Sequence, residues 1–233
     1  MSFSEQLRKE AEPIFEACYQ HPFIQGVAKG EVEKEQLIHY VKQDFEYLNA
    51  MIQTKAFAMA KCKTREEMEM FNASIGFILN SEIHPHRNFC DIAEVRYEDL
   101  QGFPLAPTAQ NYINHMLIVS QTGTLGEAIA VSMPCPWIYL YVGERILKEF
   151  EPDPSHPFYE WISFYGAQEE PRMNAFLRKL DILAEQASEK EKQKMKDYFM
   201  LSCQFEYAFF DMAYKMERWP NHQERGMKPF FSL

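Results

Sequence analysis

A cysteine with a proline on each side, Pro134-Cys135-Pro136, interrupts an uncharged run from Ala128 to Gly143. Leu125 to Met133 and Trp137 to Tyr141 otherwise read as buried helix. Each proline removes a backbone N–H and crowds the carbonyl one turn earlier, so a bend is expected there. An interior proline costs on the order of 3 kcal/mol, which aiming a thiol into a cavity would offset. Cys135 is therefore either a reactive thiol or the small core hydrophobe that a free cysteine usually is. No histidine lies nearby in sequence to activate it. Tyr139 follows four residues later and shares its helical face if the helix resumes.

Carboxylates supply the second group of candidates. Glu206 lies within Phe205-Glu206-Tyr207-Ala208-Phe209-Phe210. On an outer stripe it would be solvated; in an apolar pocket its pKa would rise and it could act as a general acid. Cys203, Phe210, Ala213 and Tyr214 fall on its face at helical spacing, which favours burial. Asp44 and Tyr47 stand three residues apart, and an acid beside a phenol can hold an amino group or a ring nitrogen. A solvated face explains Asp44 equally well. Glu35/His39 and Glu82/His86 have the i, i+4 spacing of carboxylate–histidine metal ligands in bundles. Glu35 opens its helix beside Glu31, Glu33 and Lys34, and Pro85 suggests a bent helix under the other pair. No metal site is expected from them.

The elements that must carry these residues are helical. Thr64–Glu67, Thr124–Glu127 and Ser188–Glu191 have capping-box spacing. Apolar residues recur at three and four, as in Met68, Phe71, Ile75, Ile78 and Leu79, and in Met195, Tyr198, Phe199 and Leu201. Gly26 and Gly30 punctuate an early short helix, and loops are expected at 101–107 and 151–157. The pattern predicts helices near 3–19, 34–61, 65–95, 108–121, 125–149, 156–164, 168–186 and 189–217. No strand pattern competes, so one all-α bundle over 1–218 with an irregular tail over 219–233 is expected.

Composition narrows the function. A net charge of -10, with no basic stripe anywhere in the sequence, argues against a nucleic-acid face. Five scattered cysteines without a C-x-x-C pair read as reduced thiols of a cytoplasmic protein. No secretory signal is visible at Met-Ser-Phe-Ser-Glu-Gln. The run Ala128 to Gly143 is too short to span a bilayer, so no membrane role is expected.

Several separate stretches then converge on one family. They are His21-Pro-Phe-Ile-Gln-Gly26, Tyr40-Val-Lys-Gln-Asp44-Phe-Glu-Tyr47-Leu, Tyr112-Ile-Asn-His115-Met, Met133-Pro-Cys135-Pro-Trp-Ile-Tyr139, Trp161-Ile-Ser-Phe-Tyr165-Gly166 and Cys203-Gln-Phe-Glu206-Tyr207. In this order, and over nearly the whole chain, they resemble thiaminase II (TenA), of the haem-oxygenase-like all-α superfamily. The cysteine assigns the resemblance to the Cys-containing branch. Glu46 departs from the usual aromatic or small residue, and the tail from Trp219 matches nothing in the family.

The resemblance implies a cofactor-free and metal-free hydrolase of thiamin salvage. It would cleave the exocyclic methylene C–N bond of 4-amino-5-aminomethyl-2-methylpyrimidine, or of thiamin, and leave hydroxymethylpyrimidine. It makes Cys135 the nucleophile and Glu206 the proton donor. It sets Asp44 and Tyr139 at the pyrimidine's polar edge, Tyr165 against its face, and Tyr47 and Tyr112 in the surrounding pocket. A homotetramer is implied as well. The rival readings are an oxidase on the same scaffold, cofactorless or metal-dependent, and a non-enzymatic regulator or binding protein.

Overall fold

Helix starts follow local chemistry. The computed structural model describes residues 1–167 and 171–220. Among them the helices are α1 (Phe3–Tyr19), α2 (Pro22–Lys29), α3 (Lys34–Met59), α4 (Arg65–Asn80), α5 (Ile83–Ala93), α6 (Pro107–Thr122), α7 (Leu125–Ser132), α8 (Pro134–Phe150), α9 (Tyr159–Gly166), α10 (Pro171–Gln186) and α11 (Glu189–Lys215), with one 3₁₀ turn at Tyr97–Leu100 and no strand. Reciprocal capping boxes open α4 at Thr64 and α7 at Thr124, as their spacing predicts. Ser188 accepts from the Glu191 N–H at the head of α11, and a further full box at Ser2 opens α1. Gly30 closes α2 in the left-handed conformation, φ 76°, where a side chain would be strained.

Two expected helices are each divided. The segment 65–95 breaks at Ser81, whose φ/ψ of -121/-36° leaves the helical range. Pro85 explains the break, because it has no N–H for the Ser81 carbonyl, which accepts from the His84 N–H instead. Proline is tolerated in a first turn, so a new helix opens at Ile83 rather than bending the old one. The segment 125–149 divides at Met133, and Pro134 and Pro136 become the first and third residues of α8. Their missing N–H groups would have no intrahelical partner there, so the interior-proline cost does not apply in full. Ser202 Oγ on α11 donates to the Val131 carbonyl at 2.8 Å, satisfying an acceptor beside the break.

The core is aromatic and shared by many helices. The long helices α3 and α11 run through the bundle: α3 packs on α4, α5 and α6, and α11 on α1, α7 and α8, while α8 packs closely on α9. Leu125–Phe150 is long and apolar enough by composition to cross a membrane, but 72% of its most apolar window is buried inside the bundle. Gly143 on α8 meets Gly166 on α9 so closely that a Cβ at position 143 would stand 2.5 Å from the Gly166 nitrogen. Two apolar stripes are less buried than their periodicity implies. On α4 only Phe71 is fully buried, with Met68 and Leu79 exposed, and Leu201 on α11 is exposed too. α4 lies at the rim on one buried side chain, whereas Leu201 stands on the outer face of α11, whose inner face buries Met195, Phe199, Cys203 and Phe210. The start of the helix expected from 168, and the tail from 221 onward, lie outside the described residues. Trp219, the first residue of that expected tail, donates its indole N–H to the Leu105 carbonyl at 3.0 Å.

Candidate active site

The break between α7 and α8 turns Cys135 into a cavity of about 120 Å³. From α3, Asp44, Tyr47, Leu48, Met51 and Lys55 face the same space, a stripe at i, i+3, i+4, i+7 and i+11. Glu82 enters from the cap of α5, Ser132 from α7, Tyr139 from α8, Tyr165 from α9, and Arg172 and Phe176 from α10. Five of the seven residues expected at the site thus line one cavity: Asp44, Tyr47, Cys135, Tyr139 and Tyr165. Glu206 and Tyr112 do not line it. They sit next to it, joined through Tyr47.

Glu206 is only 2% exposed, which settles its face of α11 as the inner one. Cys203, Phe210 and Ala213 are buried with it, whereas Tyr214 is exposed, having passed the edge of the buried arc by the second turn. The Tyr112 hydroxyl donates to Glu206 Oε1 at 2.5 Å, and the Tyr47 hydroxyl lies 3.4 Å from the same oxygen. Burial, reinforced by the Asp44 charge, pushes the Glu206 carboxyl up to about 8 against the pull of both phenols. It therefore holds a proton at neutral pH. Burial also pushes the Cys135 thiol well above its ordinary value, and the Glu206 charge adds to that, while a hydrogen bond from Tyr47 opposes it. Thiol and carboxyl are accordingly coupled, with the Tyr47 phenol in contact with both.

The other wall is a chain of polar partners. Asp44 is buried, and its Oδ2 stands 2.7 Å from His86 Nε2 on α5. The Tyr40 and Tyr139 hydroxyls share a hydrogen bond of 2.5 Å. Tyr165 donates to Glu82 Oε2 at 2.9 Å, and its ring centre lies 4.7 Å from that of Tyr139. Burial raises the Glu82 carboxyl to about 7 despite that bond. Two carboxyls that flank Asp44 thus hold protons near neutrality, an arrangement suited to moving protons on a bound heterocycle.

Glu35 is exposed while His39 is buried, and among the described residues no three His, Cys, Asp or Glu side chains gather as metal ligands. Glu82 lines the cavity, and His86 stands behind it, holding Asp44. Their helical spacing marked them, but the metal reading set them aside. Lys55 and Ser132 were missed too. The signal for Lys55 was its phase on the Asp44–Tyr47–Met51 stripe of α3.

Comparison with known proteins gives this geometry a family. Residues 8–216 match the TENA/THI-4/PQQC family. A protein of Bacillus subtilis (strain 168) named aminopyrimidine aminohydrolase is 34% identical over 225 residues, covering 94% of this chain and 92% of that protein. One of the same name from Halalkalibacterium halodurans is 35% identical over 221 residues, 94% of this chain and 98% of that one. Among solved structures, a TenA homologue protein from P. horikoshii OT3 superposes with a TM-score of 0.79 at 21% identity, covering 92% of this chain and 99% of that chain. A Shewanella denitrificans domain described as having a heme oxygenase-like fold superposes at 0.68 with 14% identity over 91% of this chain and 92% of that chain. The all-α haem-oxygenase-like bundle is thus shared with structures of little sequence likeness, and the sequence match over most of the chain establishes that this protein belongs to the TENA/THI-4/PQQC family.

Proposed function

We propose that this protein is an aminopyrimidine aminohydrolase (thiaminase II) of thiamin salvage, working by covalent catalysis from Cys135. The observation that carries the reading is the enclosure of Cys135, Asp44 and Tyr139 in one aromatic cavity beside a protonated Glu206. The name of the two relatives supplies the substrate class. Asp44, held by His86, takes the amino-pyrimidine edge with a charge-assisted bond, and Tyr139 completes that edge. Tyr165 supplies a ring face, and Tyr47 and Tyr112 fix the carboxyl that delivers the proton.

In this mechanism the Cys135 sulfur bonds to the ring carbon next to N1 while N1 takes a proton from Glu206. The thiol's own proton returns to the carboxylate so formed, with the Tyr47 hydroxyl between them. With aromaticity lost, ring electrons break the methylene C–N bond and expel the amine, which is protonated at the expense of water. The hydroxide left behind bonds to the methylene. N1 gives up its proton, the thiolate departs, and hydroxymethylpyrimidine is released. One difficult displacement becomes a series of easier steps.

The test is to incubate the protein with aminomethylpyrimidine, and separately with thiamin, and to quantify ammonia, thiazole and hydroxymethylpyrimidine. Stoichiometric hydroxymethylpyrimidine from either substrate supports the reading, and the ratio gives the preference. No product from either returns the oxidase and binding-protein readings. The same proposal takes the protein as a cytoplasmic homotetramer. Ile118 on α6 and Leu201, Tyr207 and Tyr214 on α11 are exposed apolar groups such an interface could cover. A monomeric mass by light scattering would contradict the tetramer.

A further inference from the structure

Among the described residues Lys55 is the one lysine facing the cavity, and it is 4% exposed. Its Nζ donates to Ser132 Oγ at 3.0 Å and stands 4.5 Å from the centre of the Phe176 ring. No carboxylate pairs with it among the described residues. An ammonium buried with a hydroxyl, a ring face and the nearby Cys135 sulfur but no carboxylate is poorly compensated, and burial lowers its pKa to about 8 against the pull of Cys135. At neutral pH it still carries its charge most of the time. A site that keeps such a charge waiting in a cavity is built for an anion.

Position says which part of a ligand would meet it. Asp44 and Lys55 lie eleven residues apart on α3, roughly 16 Å along the helix axis at 1.5 Å per residue. The two side chains therefore stand well apart along the cavity wall, and Cys135 lies near enough to both to interact electrostatically with each. If Asp44 holds the amino-pyrimidine edge and Cys135 attacks the ring, the departing group extends toward Lys55. One ammonium with one hydroxyl suits a singly charged, planar acceptor better than a dianion.

We propose that Lys55 and Ser132 form a carboxylate subsite, so that the preferred substrates are aminomethylpyrimidines whose departing amine bears a carboxylate. This rests on the hydrolase reading above and names its substrate class. The chemistry balances as before: the methylene C–N bond breaks, water gives its hydroxyl to the methylene and its proton to the departing amino acid, and the carboxylate is unchanged.

The other groups lining the cavity sharpen the expectation. Phe176 and Arg172 come from α10, Ser74 and Phe77 from α4, Glu82 from the cap of α5, and Met51 from α3. Glu82 is the carboxyl among them that could repel an anion, and burial holds it protonated to about 7. Arg172 interacts electrostatically with Glu82 and stacks on Phe77, 3.5 Å from its ring centre.

The experiment compares three compounds: N-carboxymethyl-aminomethylpyrimidine, its neutral N-ethyl counterpart, and an N-phosphonomethyl compound. Each is assayed for hydroxymethylpyrimidine release with the wild type and with Lys55→Met. A hydrogen-bonded charge pair predicts a wild-type kcat/KM ratio, carboxylate over neutral, on the order of tenfold to a hundredfold. Lys55→Met should bring that ratio close to one. The phosphonate should fall below the carboxylate; if it leads, the subsite takes a dianion and the carboxylate assignment fails. A wild-type ratio near one overturns the inference while leaving the hydrolase standing, and this arm does not depend on the variant folding. Equal losses on both compounds in Lys55→Met, with the ratio preserved, would assign Lys55 to the thiol and overturn the subsite. No turnover of any of the three, while aminomethylpyrimidine is still hydrolysed, overturns this inference alone; no turnover of aminomethylpyrimidine either would sink the hydrolase reading and this inference with it.

Discussion

Replacing Tyr112 with phenylalanine should move the alkaline limb of activity upward. The Tyr112 hydroxyl donates to Glu206 at 2.5 Å in a fully buried setting, and that bond holds the carboxyl down. A hydrogen bond to an ionised group contributes about 1.5–3 kcal/mol, and 1.36 kcal/mol is one pKa unit, so its loss should raise the carboxyl by about one to two units. The wild-type carboxyl titrates at about 8. The protonated form is the competent one, so wild-type kcat/KM should be level below that pH and fall through it as pH rises. In Tyr112→Phe the fall should begin one to two units higher, even if the plateau is lower. The assay is kcat/KM for aminomethylpyrimidine from pH 6 to 10, which reports groups of the free enzyme. A limb that stays in place, or moves toward acid, would refute the assignment of Glu206 as the proton donor controlled by Tyr112.

Glu206→Gln should lose activity by roughly a hundredfold or more, as expected for a general acid. The same change should stabilise the fold. Because the native pKa of about 8 exceeds the unfolded value, the folded state holds an extra proton, and wild-type stability declines as pH rises from the unfolded pKa through 8. By pH 7 that decline is on the order of 3 kcal/mol. Melting temperatures should therefore favour Glu206→Gln at pH 8 and converge near pH 5; a gap independent of pH contradicts the raised carboxyl. Asp44→Asn should raise KM for aminomethylpyrimidine by about tenfold or more through loss of the charge-assisted bond, and an unchanged KM would remove Asp44 from the binding edge. Gly143→Ala puts a methyl 2.5 Å from the Gly166 nitrogen. It should destabilise by about 1–3 kcal/mol in denaturant titrations, and an unaltered midpoint would show that α8 and α9 can separate without cost.

Legibility from the amino acids varied with the range of the interaction. Capping boxes at Thr64 and Thr124 act within four residues and could be read directly. The prolines at 134 and 136 signalled a disturbance, but whether a helix bends or restarts depends on what captures the freed carbonyls. Here a serine seventy-one residues away takes up the Val131 carbonyl beside the break. Pro85 was legible as an irregularity, yet its consequence, a cap that swings Glu82 into the cavity, was not. The resemblance to thiaminase II brought Tyr112 and Tyr165 forward, which periodicity could not single out among so many aromatics. It was silent on Lys55. A lysine on an inner helical stripe conflicts with local pattern, and such conflicts concentrate at functional sites.

The central claim is that Cys135 is the nucleophile, and ammonia release from aminomethylpyrimidine by wild type and Cys135→Ser tests it most directly. The account predicts turnover by the wild type and none by a Cys135→Ser protein with unchanged helicity and melting temperature. Full activity in Cys135→Ser would contradict it.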